Sequence, residues 1–263
     1  MDLTKITEHI HRLVTPYKDI FTAVFFVQTP DSVILFDTAS GPSDVEQYIL
    51  PAMKALEIDP KKLKYIFLSH GHTDHAAGVE RLLQEFPEVC LVTRSESIAK
   101  RYGAYSVLMP EDGQSLLEDF QVVAIPGHSE DSAALLDKRT DTLITGDCLQ
   151  LFGIFGSGLW RTNVGLPVQY LQALEKVRGM KLQTVVMAHD YHPYGYIARG
   201  PEEIGRCLDA CADAIYQLRD EIARNPRCND EEVAQISNSP AQLPTVGPRV
   251  IRAIREAMAE GKL

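Results

Sequence analysis

Three histidines and one aspartate occur within six consecutive residues near the first quarter of the chain. They follow an apolar run, residues 65–68, that predicts a strand ending at this point. Core packing does not require such a cluster, whereas a strand that leads into a ligand-rich turn can direct nitrogen and carboxylate donors at one point. The cluster therefore predicts a site for a divalent ion such as zinc, iron or manganese. Its members are His70, His72, Asp74 and His75.

The spacing within this cluster predicts more than one ion. Two imidazoles two residues apart, His70 and His72, can grip one ion, while the adjacent Asp74 and His75 project toward a second. The alternative interpretation is a loop that carries these residues as surface polar groups.

Three further candidate ligands each come directly after a predicted strand. His128 follows residues 120–125, Asp147 follows residues 142–145, and His189 follows residues 184–188. Ligands from several strand ends converge if those ends share one edge of a layered α/β core. His192, three residues after His189, is the alternative ligand at the last position.

Composition restricts the class of protein. The chain has 263 residues, of which 45 % are hydrophobic and 24 % charged, so it can bury a large core. Its net charge of -10 disfavours nucleic acid as a partner. The five scattered cysteines predict neither disulfides nor a thiolate zinc site. The start lacks a secretory signal and no apolar run approaches the roughly 20 residues of a membrane span, so we expect a cytoplasmic protein.

The pattern along the chain predicts one domain and a helical appendage. Residues 23–27 and 33–36 predict a β-hairpin, and helices then alternate with strands. Beyond Pro201 an apolar seam recurs at helical spacing, from Ile204 to Ile222, and must dock on another surface. We therefore expect a catalytic domain over residues 1–200 and a C-terminal helical extension over residues 201–263.

The motif Ser-His-Gly-His-Thr-Asp-His-Ala-Ala-Gly, residues 69–78, resembles the signature of the metallo-β-lactamase superfamily. Residues 126–132, the Thr-Gly-Asp at 145–147 and the Val-Met-Ala-His at 186–189 resemble that superfamily's later landmarks. The resemblance covers roughly residues 6–195. It implies an α/β fold, the metallo-β-lactamase αββα sandwich, followed here by the C-terminal helical appendage.

The resemblance also implies a role for each candidate ligand. Asp147 would bridge two metals, the first held by three histidines and the second by two histidines and an aspartate. Asp37, in a segment that keeps the aspartate but not the glycine of a superfamily pattern, would orient a ligand imidazole; alternatively it caps Ser40 or a neighbouring turn. The ligands of the first metal would be His70, His72 and His128, and those of the second metal would be Asp74, His75 and His189.

Two divalent ions, most simply zinc, would supply hydroxide at neutral pH and polarise a carbonyl oxygen. We therefore expect a hydrolase in which hydroxide bound to two metals attacks a small ester, lactone or thioester. Asp74 would orient the water. Tyr194 would donate a hydrogen bond to the developing oxyanion, as tyrosines do in some lactonases of the superfamily, and ordinary packing is its alternative role.

Two other function classes use the same residues. One is a non-haem iron redox enzyme, and the other is a sensor or binding protein that keeps the metal but not the turnover. A glutathione thioester hydrolase would need a basic site near the C-terminal helices, but Arg206, Arg219 and Arg224 lie among acids. The loop 151–161, rich in glycine and aromatic residues, is either a wall or lid of the pocket or a contact with the C-terminal helices or within a homodimer.

Overall fold

The structure is a computed structural model that describes residues 2–17, 20–151, 153–155, 158–160, 162–191, 195–237 and 246–263. The chain divides into two compact units, residues 1–114 (unit 1) and residues 115–263 (unit 2). Each unit contains one large β-sheet. The predicted division into a catalytic domain over residues 1–200 and a helical extension over residues 201–263 differs from these two units and stays a prediction.

Unit 1 is built on a seven-stranded mixed sheet whose strands lie in chain order. The first four strands pair antiparallel, which confirms the predicted hairpin, and the last four pair parallel. Because the carboxyl ends of parallel strands share an edge, the residues after the fourth and fifth strands lie side by side. The strands are Asp2–Lys5 (β1), Ile10–Tyr17 (β2), Ile20–Gln28 (β3), Val33–Phe36 (β4), Leu63–Phe67 (β5), Cys90–Val92 (β6) and Val107–Leu108 (β7).

The helices of unit 1 pack apolar residues against this sheet. Val45, Ile49 and Met53 of the first helical segment are buried with Leu35 and Ile66 of the sheet in one core. The segment begins as Pro42–Asp44 (α1), widens into a π-helical turn over Val45–Ile49 and continues as Leu50–Ala55 (α2). A 3₁₀ turn, Pro60–Lys62, and three helices follow: Thr73–Ala76 (α3), Val79–Glu85 (α4) and Glu96–Arg101 (α5).

Unit 2 is built on a six-stranded sheet in which one pair of strands is parallel. The strands are Ser115–Leu117 (β8), Phe120–Ala124 (β9), Ala133–Asp137 (β10), Thr142–Ile144 (β11), Thr184–Tyr191 (β14) and Gly195–Arg199 (β15); a separate hairpin comprises Gly153–Phe155 (β12) and Gly158–Trp160 (β13). In the sheet order β15-β14-β11-β10-β9-β8, the parallel pair is β11 with β14.

The prediction that His189 follows its strand is wrong. β14 continues through His189 to Tyr191. The pairing of β14 with β15 shifts register between Val186 and Tyr191, so His189 lies in an irregular part of the strand.

The helices of unit 2 explain where the predicted apolar seam docks. They are Pro167–Arg178 (α6), Gly200–Arg224 (α7), Asp230–Ser237 (α8) and Pro248–Ala259 (α9). Ile204 and Leu208 of α7 share a core with Leu174 of α6 and Val185 of the sheet. Further along α7, Leu218 and Ile222 are buried with residues of α8 and α9 in a second core. The seam is therefore covered within unit 2.

The hydropathy of the helices and the state of the cysteines are both defined for the described part of the chain. None of the helices described there is both long and apolar enough to cross a membrane. The five cysteines are free thiols. Three of them are buried and the other two, Cys90 and Cys228, are partly exposed.

Two glycines give a test of the packing in each unit. A Cβ on Gly78 would overlap the Thr38 carbonyl oxygen and lie 2.8 Å from Val45 Cγ2, whereas a Cβ on Gly205 in α7 would meet nothing within 4 Å. We expect Gly78→Ala to lower the free energy of unfolding by about 1–3 kcal/mol through overpacking. Gly205→Ala should raise it by about 0.5–1 kcal/mol because alanine favours the helix. Thermal unfolding of the two variants measures both; equal effects of the same sign would contradict the packing described.

Candidate metal centre

Four predicted ligands lie together in unit 1 and are termed the first ligand cluster: His70, His72, Asp74 and His75. The rings of His70 and His72 lie 4.6 Å apart between centroids, and those of His70 and His75 lie 4.4 Å apart. His75 Nε2 is 3.2 Å from Asp74 Oδ2. The loop after β5 carries His70, His72 is the N-cap residue of α3, and the short helix α3 carries the other two. All but His72 are buried.

The carboxylate of Asp37 holds this cluster in place through hydrogen bonds to Ser69 and His75. Its Oδ1 accepts a hydrogen bond from the Ser69 backbone N–H at 2.7 Å. Its Oδ2 accepts from Ser69 Oγ at 2.8 Å and from His75 Nδ1 at 2.7 Å. Asp37 is fully buried, and its φ of 64° is a left-handed conformation that aspartate adopts more readily than most residues. Burial raises the pKa of Asp37, while His75 and Ser69 lower it.

These contacts decide between the two roles predicted for Asp37. Asp37 orients the imidazole of His75, one of the predicted ligands. Ser40 is capped instead by Asp44, whose Oδ2 accepts from the Ser40 backbone N–H at 3.0 Å and from its hydroxyl at 2.6 Å.

The hydrogen bonds also assign the tautomers of two histidines. His75 Nδ1 faces a carboxylate, which only accepts, so Nδ1 carries the proton. The Ser69 hydroxyl gives its proton to Asp37, so Ser69 Oγ accepts from His70 Nδ1 at 3.0 Å. Each imidazole therefore keeps a lone pair on Nε2, and histidines that bind metals are oriented in the same way through their other nitrogen. This donor set fits a divalent ion.

Three predicted ligands lie together in unit 2 and form the second ligand cluster: His128, Asp147 and His189. Asp147 follows Gly146, whose φ of 55° turns the chain sharply after β11. Asp147 Oδ1 is 2.8 Å from His189 Nε2, and Oδ2 is 3.8 Å from His128 Nε2. The two oxygens of one buried carboxylate thus face two different histidines.

The donors of the second ligand cluster also fit a metal. His128 Nδ1 donates to the Asn163 carbonyl oxygen, which only accepts, so His128 Nε2 keeps its lone pair. Two ligands bound tetrahedrally to one zinc at about 2.1 Å lie on the order of 3.3 Å apart, which is comparable to the separations around Asp147. Over the described residues, candidate donors for a metal ion occur in each unit: His70, His72, Asp74 and His75 in unit 1, and His128, Asp147 and His189 in unit 2.

The sequence motifs did not identify Gln150 and Asn163, two residues that hold the second ligand cluster. Gln150 Nε2 donates to the Asp147 carbonyl oxygen at 3.1 Å, and Gln150 Oε1 accepts from the Asn163 backbone N–H at 3.2 Å. The only signal in the sequence is that Gln150 follows Asp147 by three residues. Tyr194 and the alternative ligand His192 lie outside the described residues, as do the side chains of residues 152–161, so their predicted roles stay predictions.

Residues 17–189 match the metallo-beta-lactamase superfamily, and the chain belongs to that superfamily. Among curated proteins it is similar to hydroxyacylglutathione hydrolase 1 of Vibrio vulnificus (strain YJ016), with 31 % identity over 165 residues. That similarity covers 60 % of this chain and 61 % of the relative, so the chain spans about three fifths of the relative's length.

Solved structures confirm the fold. The DIM-1 metallo-beta-lactamase superposes with a TM-score of 0.64 at 16 % identity, over 81 % of this chain and 97 % of the other. Rubredoxin oxygen:oxidoreductase from the anaerobe Desulfovibrio gigas gives a TM-score of 0.64 at 18 % identity, over 81 % of this chain and 61 % of the other. The predicted fold class, an α/β metallo-β-lactamase αββα sandwich with C-terminal helices, is confirmed.

Replacement of Asp37 by asparagine tests the orientation of His75. The Ser69 backbone N–H can only donate, so the asparagine oxygen must stay at the Oδ1 position and its NH₂ group must face His75 Nδ1. His75 Nδ1 then has to accept, which moves its proton to Nε2 and blocks the lone pair there. We expect Asp37→Asn to lower zinc affinity about 10- to 100-fold.

Long-range ¹H–¹⁵N NMR of the metal-free protein reports the His75 tautomer, and competition with a chromophoric chelator reports the zinc affinity. The exposed Asp31→Asn serves as the matched control and should change neither. A His75 tautomer that stays the same in Asp37→Asn would show that Asp37 does not set it.

Proposed function

We propose that this chain is a metal-dependent hydrolase of small esters, lactones or thioesters that works with two divalent ions. In this proposal the first ion is held by His70, His72 and His128. The second would be held by Asp74, His75 and His189, and Asp147 would be a ligand shared by the two. Zinc is the proposed metal, because neutral imidazoles with carboxylates are its usual donors in catalytic sites.

The arrangement around Asp147 carries the proposal. Its two oxygens face His189 and His128, the histidines proposed for different ions, which is the arrangement needed in a bridging carboxylate. Membership of the superfamily supports the same interpretation, and so does the presence of candidate donors in each unit.

The protein residues supply position, charge and protection from water. When bound, divalent ions would lower the pKa of a water and polarise the scissile carbonyl. Asp74, buried beside His75, orients the attacking water through its carboxylate. Asp37 and Ser69 hold His70 and His75 with Nε2 available, so little rearrangement is needed during the reaction. Tyr194, which lies outside the described residues, would donate a hydrogen bond to the developing oxyanion.

Thioesters are the first substrates to examine, because the curated relative is named for the hydrolysis of hydroxyacylglutathione. Recognition of the glutathione carboxylates by the arginines of α7 is not part of the proposal. Each of these exposed or partly exposed arginines is paired with a carboxylate of α7 at 2.7–3.2 Å. They therefore do not offer free positive charge to an acidic tripeptide. The residues are Arg206, Arg219 and Arg224.

Replacement of a proposed ligand tests the site. We expect His72→Ala to lose about one equivalent of metal and to lower kcat/KM at least about 100-fold, because ligand loss disturbs both binding and positioning. His9→Ala, at a partly exposed histidine before β2, is the matched control and should change neither quantity. Full activity of His72→Ala at unchanged metal content would refute the assignment.

Metal analysis tests the dinuclear proposal and separates it from the other two function classes. Protein purified without added metal should contain about two equivalents of zinc per chain, which is colourless and redox-silent. A chelator should abolish hydrolysis of a panel of lactones, esters, thioesters and phosphodiesters, and added zinc should restore it. One equivalent would contradict the two-metal site. Iron with visible and EPR signals would favour a redox enzyme, and tight binding without turnover would favour a sensor.

A further inference from the structure

Gln150 lies at the centre of a hydrogen-bond network in unit 2. It is buried, and both ends of its side-chain amide are used. Nε2 donates to the carbonyl oxygen of Asp147 at 3.1 Å, and Oε1 accepts from the backbone N–H of Asn163 at 3.2 Å. Only a side chain with both a donor and an acceptor can make this pair of contacts. Gln150 therefore fixes the distance between the Asp147 turn and the Asn163 segment.

The network reaches a second member of the second ligand cluster through Asn163. The carbonyl oxygen of Asn163 accepts the hydrogen bond from His128 Nδ1. The neighbouring backbone is tied in the same way, since Gly165 N–H donates to the His128 carbonyl at 3.3 Å and Leu166 N–H donates to the Gly127 carbonyl at 2.9 Å. The position and tautomer of His128 thus depend on a segment that Gln150 holds.

Tyr170 of α6 fixes the backbone of Gln150. Its hydroxyl accepts from the Gln150 N–H at 2.7 Å and donates to the Gln150 carbonyl oxygen at 3.0 Å. The Cys211 thiol of α7 lies near this hydroxyl and contributes to raising the pKa of Tyr170. Burial raises the pKa of Tyr170 well above its ordinary value, so the proton that it donates is retained.

The ring of Tyr170 also packs directly on the residue before His128. A Cβ on Gly127 would lie 2.6–2.7 Å from Tyr170 Cδ2, Cα and Cβ, so no larger residue fits there without a shift. One tyrosine therefore contacts both the His128 loop and the Gln150 backbone.

We infer that Gln150 and Tyr170 are positioning residues of the proposed metal site, which together hold Asp147 and His128 in place for metal binding. This inference rests on the proposed function, because it assigns a role toward the ions named there. Ligands that are held before the ion arrives lose little conformational freedom on binding. The network acts through the carbonyl of Asp147 and through Asn163, and neither Gln150 nor Tyr170 is a proposed ligand.

Two variants remove parts of the network and one serves as a control. Gln150→Met removes both polar ends of the amide at similar length, and Tyr170→Phe removes the hydroxyl alone. Tyr102→Phe removes the hydroxyl of a buried tyrosine in the core of unit 1, outside the network. If Gln150→Met does not fold, Gln150→Glu replaces it. Glutamate retains the volume and the acceptor for the Asn163 N–H but loses the donor to the Asp147 carbonyl oxygen, so its readouts are the His128 signals and the zinc affinity.

Hydrogen exchange and NMR on the metal-free proteins examine the network directly. We expect the backbone N–H of Asn163 to exchange faster in Gln150→Met, because it loses Gln150 Oε1 as its acceptor. The backbone N–H of Gln150 should exchange faster in Tyr170→Phe, because it loses the Tyr170 hydroxyl as its acceptor. The ¹⁵N signals of the His128 imidazole should shift in both variants and stay unchanged in Tyr102→Phe. Unchanged exchange and imidazole signals in both variants would overturn the inference.

Zinc affinity of the folded proteins then tests the consequence. We expect Gln150→Met to bind zinc about 10- to 100-fold more weakly and Tyr170→Phe about tenfold more weakly, with no change in Tyr102→Phe. If the wild-type chain binds two ions and both variants bind them equally well, the inference fails while the proposed function stands. If the wild-type chain binds no ion, the proposed function fails, and the inference that rests on it fails too, whatever hydrogen exchange shows.

Discussion

The burial of the Asp37 carboxylate is the constraint on which the first ligand cluster depends. A charged oxygen pair removed from water must be satisfied by donors, or the folded chain loses several kcal/mol of stability. Three donors meet that requirement, two from Ser69 and one from His75. They come from the segment after β5 and from α3, so satisfying one carboxylate also fixes the turn that carries the histidines. The left-handed backbone of Asp37 directs the carboxylate to that position.

In the second ligand cluster, the group that orients a histidine is neutral. His128 donates to a backbone carbonyl, whereas His75 donates to a carboxylate. A carboxylate partner increases the basicity of the opposite ring nitrogen more than a carbonyl does, so His75 is the stronger electron donor of the two. Since these histidines belong to different ions in the proposed centre, the two ions would be held with different strengths.

The motifs and their resemblance to the metallo-β-lactamase superfamily were sufficient to predict the fold class and to propose all seven ligands, because each ligand lies in a short motif at or near a strand end. Sequence alone could not show that β14 continues through His189, since the irregular pairing of that strand depends on β15. It also could not find Gln150 and Tyr170, whose contacts join a side chain to a backbone far along the chain and leave no spacing pattern. The choice for Asp37 needed its hydrogen bonds to Ser69 and His75, which lie 32 and 38 residues further along the chain.

The exposure of the five cysteine thiols differs, and this allows each unit to be labelled. Three cysteines are enclosed, while Cys90 of unit 1 and Cys228 of unit 2 are partly open to solvent. Because modification requires an accessible thiolate, maleimide reagents should react preferentially at these two positions. The native chain thus carries one attachment point for a fluorescent or spin label in each unit. Each label would report on its own unit without any engineered substitution.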